Sequence, residues 1–243
     1  MKKTYSPFAM ALLVVFLFAT HVHTYAQKVR GNGNVTSVDY DVDPFTDLEL
    51  DGVFNVYINQ GEKIGVTVET DENLHDYVVV EGRGDKLRID TRRKMNIRVK
   101  KRMDVYITVR DLEKLRINGV GNVKTTNSLI LKDLDLRIKS VGNVELEIEA
   151  DNLDGDFDSV GNIRLSGKIG NAYITNGGVG KLAAYDLENE KLKLKASGVG
   201  KTEVYATKEI AIKSSGVGNV YYKGDAVITD LNIRGVGKVK KRG

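Results

Sequence analysis

The chain has 243 residues, and its 37 Lys and Arg against 33 Asp and Glu leave a formal charge of only +4. So small an excess over so many charges gives no reason to expect a nucleic-acid partner. There is no cysteine, which excludes a disulfide framework, a thiolate metal site and a lipidated N-terminal cysteine.

Residues 1–26 carry the marks of a signal peptide: Lys2 and Lys3, an apolar stretch from Phe8 to Ala19, and the small residues Thr24 and Ala26 before Gln27. The apolar stretch is shorter than the ~20 residues of a membrane-spanning helix, and no later segment approaches that length. The expected mature chain, 27–243, is therefore exported to the periplasm, cell surface or exterior. It retains His75 as its one histidine, too few for a Ser-His-Asp constellation or a histidine metal site. No cofactor is expected, and His75, beside Asp71 and Glu72, reads as a surface residue.

Residues 27–110 alternate apolar and polar side chains without a strict repeat. Leu48, Leu50, Gly52, Val56 and Ile58 follow one another, then Ile64-Val66-Val68, Leu87-Ile89, Ile97-Val99 and Val105-Ile107-Val109. Period-two alternation marks half-buried strands. Gly31-Asn32-Gly33-Asn34-Val35 and Gly52-Val53-Phe54-Asn55-Val56 look like degenerate copies of a phrase that becomes regular later. This irregular part is expected to cap the repeats that follow.

Within 92–102, Arg92, Arg93, Lys94, Arg98, Lys100, Lys101 and Arg102 concentrate seven cations. Such a cluster either meets a polyanion, such as an acidic polysaccharide or lipid phosphates, or guards an exposed strand against edge-to-edge pairing. Edge guarding is the preferred reading.

From residue 111 onward the phrase Gly/Ser-Val-Gly-Asn/Lys recurs seven times. Its second glycine falls at Gly121, Gly142, Gly161, Gly180, Gly200, Gly218 and Gly237, in steps of 21, 19, 19, 20, 18 and 19. A period near 20 is the signature of a stacked solenoid. Apolar residues alternate on both sides of the phrase: Leu136 and Ile138 before it, Val144 and Leu146 after it. Each repeat thus reads strand, tight turn, strand, looser turn. The glycines permit the turn, and Asn tolerates left-handed backbone better than most residues. The predicted fold is all-β: one domain, a single-stranded parallel β-helix with about 20 residues per coil.

Three features carry a choice of meaning. Asp151, Asp154, Asp156 and Asp158 crowd one segment; they match no Ca²⁺-loop order, and a solvated acidic face is the preferred reading. The glycine phrases lead into strands, not helices, so they are not phosphate cradles. Val120, Val141, Val160, Val179, Val199, Val217 and Val236 recur in every phrase. By strict alternation they form an outward apolar stripe suited to a homo-oligomer contact; a rotated turn would make them fill a corner of the core, which is the preferred reading.

The pattern resembles the autotransporter-adhesin head GIN domain family of exported Bacteroidetes proteins. The likeness rests on Val29-Arg30-Gly31-Asn32-Gly33-Asn34-Val35, Phe45 with Leu48-Glu49-Leu50-Asp51-Gly52-Val53-Phe54-Asn55-Val56, Asp71-Glu72-Asn73-Leu74, Asp85-Lys86-Leu87-Arg88-Ile89 and the glycine repeats. It departs in having Val where the family often has Ser, and Lys for Asn at Lys181, Lys201 and Lys238. The resemblance implies a β-helical, adhesin-like module that binds a glycan or another envelope component. The alternative on the same scaffold is a polysaccharide-active enzyme working with carboxylates alone.

Overall fold

The computed structural model describes residues 27–92 and 95–242; the expected signal peptide, Arg93, Lys94 and Gly243 lie outside the described residues. Nine strands come from the irregular part: β1 (Gln27–Arg30), β2 (Val35–Tyr40), β3 (Asp47–Val53), β4 (Asn55–Gln60), β5 (Gly65–Asp71), β6 (Val78–Arg83), β7 (Lys86–Thr91), β8 (Met95–Arg98) and β9 (Met103–Val109). The repeats give β10 (Lys114–Val120), β11 (Val123–Thr125), β12 (Leu129–Ile138), β13 (Val141–Phe157), β14 (Val160–Asn176) and β15 (Val179–Ala196). Then follow β16 (Val199–Ser214), β17 (Val217–Lys223), β18 (Val227–Ile233) and β19 (Val239–Lys241).

The repeats stack as a parallel β-solenoid of about seven turns, each about 19 residues. Register follows the phrase: Val141 lies on Val160, Gly142 on Gly161 and Asn143 on Asn162, and the same rows continue through β15, β16 and β17. Unequal coil lengths are absorbed at bulges, one between Arg164 and Ser166 and another beyond Ala184. A bulge takes up the extra residue without shifting the inward set to the outside.

Each coil presents two faces. Face one holds the run after the phrase and face two the run before the next phrase. Inward side chains of both, such as Leu146, Ile148, Phe157, Leu165 and Ile174, are fully buried and form one continuous core. Each contributes roughly 1.5–3 kcal/mol of burial, which stabilises a fold that has no cross-link.

The phrase forms the corner, and its geometry corrects two expectations. The valines do not fill the core: the six from Val120 to Val217 are 49–55% exposed and Val236 is 73% exposed. The inward place at the corner belongs to the small residue before each valine, as at the buried Ser140 and Ser159. The asparagine is also explained differently. Asn143 Nδ2 donates to Asn122 Oδ1 (3.1 Å) and Asn162 Nδ2 to Asn143 Oδ1 (3.1 Å), so its amide builds a ladder up the corner. The glycine is required twice over: Gly161 has φ +141°, and a Cβ there would sit 2.0 Å from the carbonyl oxygen of Gly142.

The irregular part is not a run of further coils in chain order. β3 and β4 do make a coil in register with the repeats, Gly52 on Gly119 and Val56 on Val123. However, β7 and β9 stack on the other side of it. The coil 47–60 is thus enclosed between segments that come later in the chain. Beyond β7 and β9 the direction reverses: β6 runs antiparallel to β7, β5 to β9 and β2 to β5. A short 3-10 segment, Glu72–Tyr77, drops the fully buried Leu74 into the core beside them.

Gly31–Val35 is not a copy of the phrase. It wraps the buried carboxylate of Asp71, which accepts hydrogen bonds from Gly33 N (2.9 Å) and Lys100 N (2.8 Å). A side chain at Gly31 would collide with that carboxylate. The sequence likeness to the phrase arose from a second use of glycine, close approach to an acid.

Candidate functional site

The outer side of face two offers the most developed surface. Positions seven residues before each phrase glycine form one column, Asp135, Asp154, Tyr173, Lys193, Ala211 and Asp230. Positions five before it form a second: Arg137, Asp156, Thr175, Lys195, Lys213 and Asn232. Alternation guarantees that both columns point away from the core. Their chemistry changes along the axis.

Towards the N-terminal end most of the charges are paired with one another. Arg88 Nη2 bridges Asp51 (2.9 Å) and Asp90 (2.7 Å), and Arg116 Nη1 holds Asp47 (2.7 Å). Lys86 pairs with Glu49; hydrogen bonding from Lys86 holds the Glu49 carboxyl below its ordinary value, whereas burial raises that of Asp51. Next along, Arg137 reaches Asp135 (2.6 Å) and Asp154 (3.3 Å), with Asp156 at 4.0 Å. The carboxylates that looked like a crowded acidic segment are therefore divided: Asp154 and Asp156 gather on this arginine.

Past Tyr173 the balance reverses. Lys191 pairs with Glu209 (2.7 Å) and Lys213 with Asp230 (3.7 Å), while among the described residues Lys193 and Lys195 take part in no ion pair. Three shallow depressions of about 570, 450 and 320 Å³ run along this face. The first two share Asn152 and Asp154, and the last two share Tyr173, Lys193 and Thr229. They form one trough parallel to the solenoid axis, with Tyr173 in its wall at 47% exposure.

Most other outward tyrosines are already covered. Tyr57 stacks on Tyr106 (4.8 Å between centroids) beneath Lys124, and Lys223 lies over Tyr205 (4.6 Å) and Tyr185 (5.7 Å). Lys201 and Arg242 both approach the Tyr221 ring, at 5.1 and 5.0 Å from its centroid. In the same region Glu203 is buried and pairs with Lys181 (2.8 Å) and Lys201. Burial alone pushes Glu203 up, but hydrogen bonds from the two lysines outweigh it and hold its carboxyl below the ordinary value. This explains two of the three lysines that replace the ladder asparagines: Lys181 and Lys201 pair with a carboxylate on the adjoining column.

The basic cluster sits where β7 and β9, unlike the repeats, are joined by a long detour in place of the tight phrase. Within it β8 pairs in parallel with β1. Several of its cations are engaged: Arg102 Nη1 with Glu69 (3.1 Å), Lys100 Nζ with the Asn32 carbonyl (3.2 Å) and the Arg92 guanidinium over Tyr77 (5.8 Å). Arg98 and Lys101 are exposed. His75 Nε2 meets Thr36 Oγ1 at 3.0 Å, tying the 3-10 segment to β2.

The fold that carries this surface has relatives among known proteins. The sequence profile described as "Putative auto-transporter adhesin, head GIN domain" matches residues 44–226. The chain belongs to the head GIN domain family. A Bacteroides fragilis protein called a putative adhesin is 28% identical, superposes with a TM-score of 0.83 and is covered over 100% of its chain by 88% of this one. A Parabacteroides distasonis protein, also called a putative adhesin, gives 25% identity and a TM-score of 0.68, over 89% of this chain and 100% of its own. A second protein from that organism, called a putative lipid binding protein, shares the fold at 22% identity and a TM-score of 0.68, over 88% and 100%. No curated protein matches the chain. Among the described residues no helix of this head GIN domain is long and apolar enough to cross a membrane.

Proposed function

We propose that this head GIN protein is an exported, non-enzymatic binding module of the cell envelope or exterior, and that it grips an extended acidic glycan along the face-two trough. The carrying observation is the trough itself: continuous over several coils, with Tyr173 exposed in its wall and Lys193 and Lys195 beside it free of ion pairs among the described residues. An aromatic ring supplies a flat apolar surface for a sugar ring, and neighbouring ammonium groups supply charge for its carboxylates. The adhesin names of the relatives agree with binding as the task.

The alternative, a polysaccharide-active enzyme, has less support. Its best carboxylates, Asp135, Asp154 and Asp156, are drawn to one arginine, which engages them as a structural ion-pair cluster on the surface.

The test is a glycan array with acidic and neutral polysaccharides on the purified protein, repeated with Tyr173→Ala and with Lys193→Glu/Lys195→Glu. Both variants should fold normally, since these side chains are outward. Retention on acidic glycans should fall about tenfold or more, consistent with loss of a central aromatic or of paired charges. Binding that ignores both variants would place the ligand elsewhere.

A further inference from the structure

The C-terminal end of the solenoid is a step. Face one ends with β17 on β16 and β19 on β17, whereas face two ends with β18 on β16. Face one therefore extends one strand beyond face two. Among the described residues β18 and β19 each have a strand partner on one side only.

The step also leaves the core open. Ile228 lies on Ile210 and Leu231 on Ile212, both fully buried, yet Ile228 and Leu231 themselves are 43% and 48% exposed, and Ile233 is 46% exposed. These are inward positions of the repeat that no coil covers among the described residues. A long apolar edge of this kind is a template for pairing with another chain.

We infer that this end is covered by the same end of a second copy. A two-fold axis parallel to the strands exchanges face one with face two and reverses the stack. The protruding β19 of one copy then enters the recess beyond β18 of the other, and both recesses are filled at once. The strands meet antiparallel, and the corner fixes their register, because Ile233 and Val239 are equally far from Val236. Ile233 then faces Val239 of the second copy, Asn232 faces Lys240, Leu231 faces Lys241, and Asp230 faces Arg242.

This register is complementary in chemistry. Opposed residues in an antiparallel pair lie on the same side of the sheet. Ile233 and Val239 meet over the core, Leu231 lies under the aliphatic stem of Lys241, and outside it Asp230 meets Arg242, twice over by symmetry. Direct pairing of β18 with its own copy is blocked, since each β19 would run into β17 of the other. Among the described residues the opposite end offers no equivalent site: Leu74 fills its core, and its outermost strands expose Asp39, Glu81 and Arg83.

The natural absence of cysteine makes the register directly testable. Asn232→Cys/Lys240→Cys should give a covalent dimer on mild oxidation, because opposed residues of paired strands have the Cα separation a disulfide accepts. Either single variant should not, as neither residue lies on the axis. Sedimentation of the full protein should show a dimer, weakened about tenfold by Asp230→Arg and restored by Asp230→Arg/Arg242→Asp. Recovery in the double variant also excludes a folding defect at Lys213, the present partner of Asp230. A monomer at the highest soluble concentration overturns the proposal. So does cross-linking of the single variants as efficient as that of the pair, or a dimer that survives Asp230→Arg and dissolves with Val160→Glu on the valine ridge.

Discussion

The two ends of this solenoid solve the same problem in opposite ways. At the N-terminal end, direction reverses in β2, β5 and β6, Leu74 fills the core at 0% exposure and Asp71 ties two loops together. At the C-terminal end the repeat simply continues, with Leu231 and Ile233 nearly half exposed. The contrast teaches that a repeat cannot close itself. Its inward pattern is right for every coil with two neighbours and wrong for a coil with one, so closure takes a departure from the repeat or a second molecule.

The largest effect should come from exchanging one kind of end for the other. A fragment of residues 111–243 loses the cap and the coil 47–60, exposing the edges of β10 and β11 and the core above them. It should aggregate or fail to give a cooperative thermal transition; a soluble, cooperatively melting monomer would show that the irregular part is dispensable. A pair of single substitutions sharpens the same contrast. Leu74→Ala should cost roughly 2–5 kcal/mol, as for other buried leucines. Leu231→Ala should cost less than about 1 kcal/mol in dilute solution, where its side chain stays half exposed. Urea midpoints of the two variants measure this, and equal losses would contradict the openness of the C-terminal end.

The smallest effect concerns charge within the repeats near that end. A carboxyl held below its ordinary value, as at Glu203, stabilises the fold at pH above that ordinary value and loses the contribution as pH falls through the lower folded value. The wild type should therefore lose on the order of 1 kcal/mol more than Glu203→Gln on acidification. Parallel stability profiles for the two proteins from pH 6 to the acid limit of folding, roughly pH 3, would argue against the depression.

Much of this was legible in the sequence because it is local. The glycine spacing announced the coils, and the flanking alternation announced the buried faces. The resemblance carried by Phe45, Gly52 and the Asp71–Leu74 segment pointed to the family. What stayed hidden depends on pairing between distant segments. Nothing near Leu48 or Val56 shows that β7 and β9 will lie on one side of them and β10 and β11 on the other. Strict alternation already turns the valines outward; what it does not show is the close backbone contact between coils, where the glycine after each valine faces a carbonyl of the coil before it. Gly31–Val35 misled because the same residue types serve a corner and a carboxylate cradle. The trough had a usable signal: Asp154, Tyr173 and Lys193 stand at one constant offset from the phrase, and outward columns can be read by aligning repeats as carefully as inward ones.

The enclosure of residues 47–60 governs the order in which the molecule can assemble. Many solenoids grow like a coiled rope, each turn laid on the one before. Here the second turn has to wait, because one neighbour comes from 86–109 and the other from 114–125. A chain emerging N-terminus first cannot finish its opening third until residues beyond 90 are available, and those contacts span tens of positions. The first third should therefore close through contacts of long sequence separation, and more slowly than the turns that follow. The later turns can then wind on from it quickly, in one direction, each needing only the turn already in place.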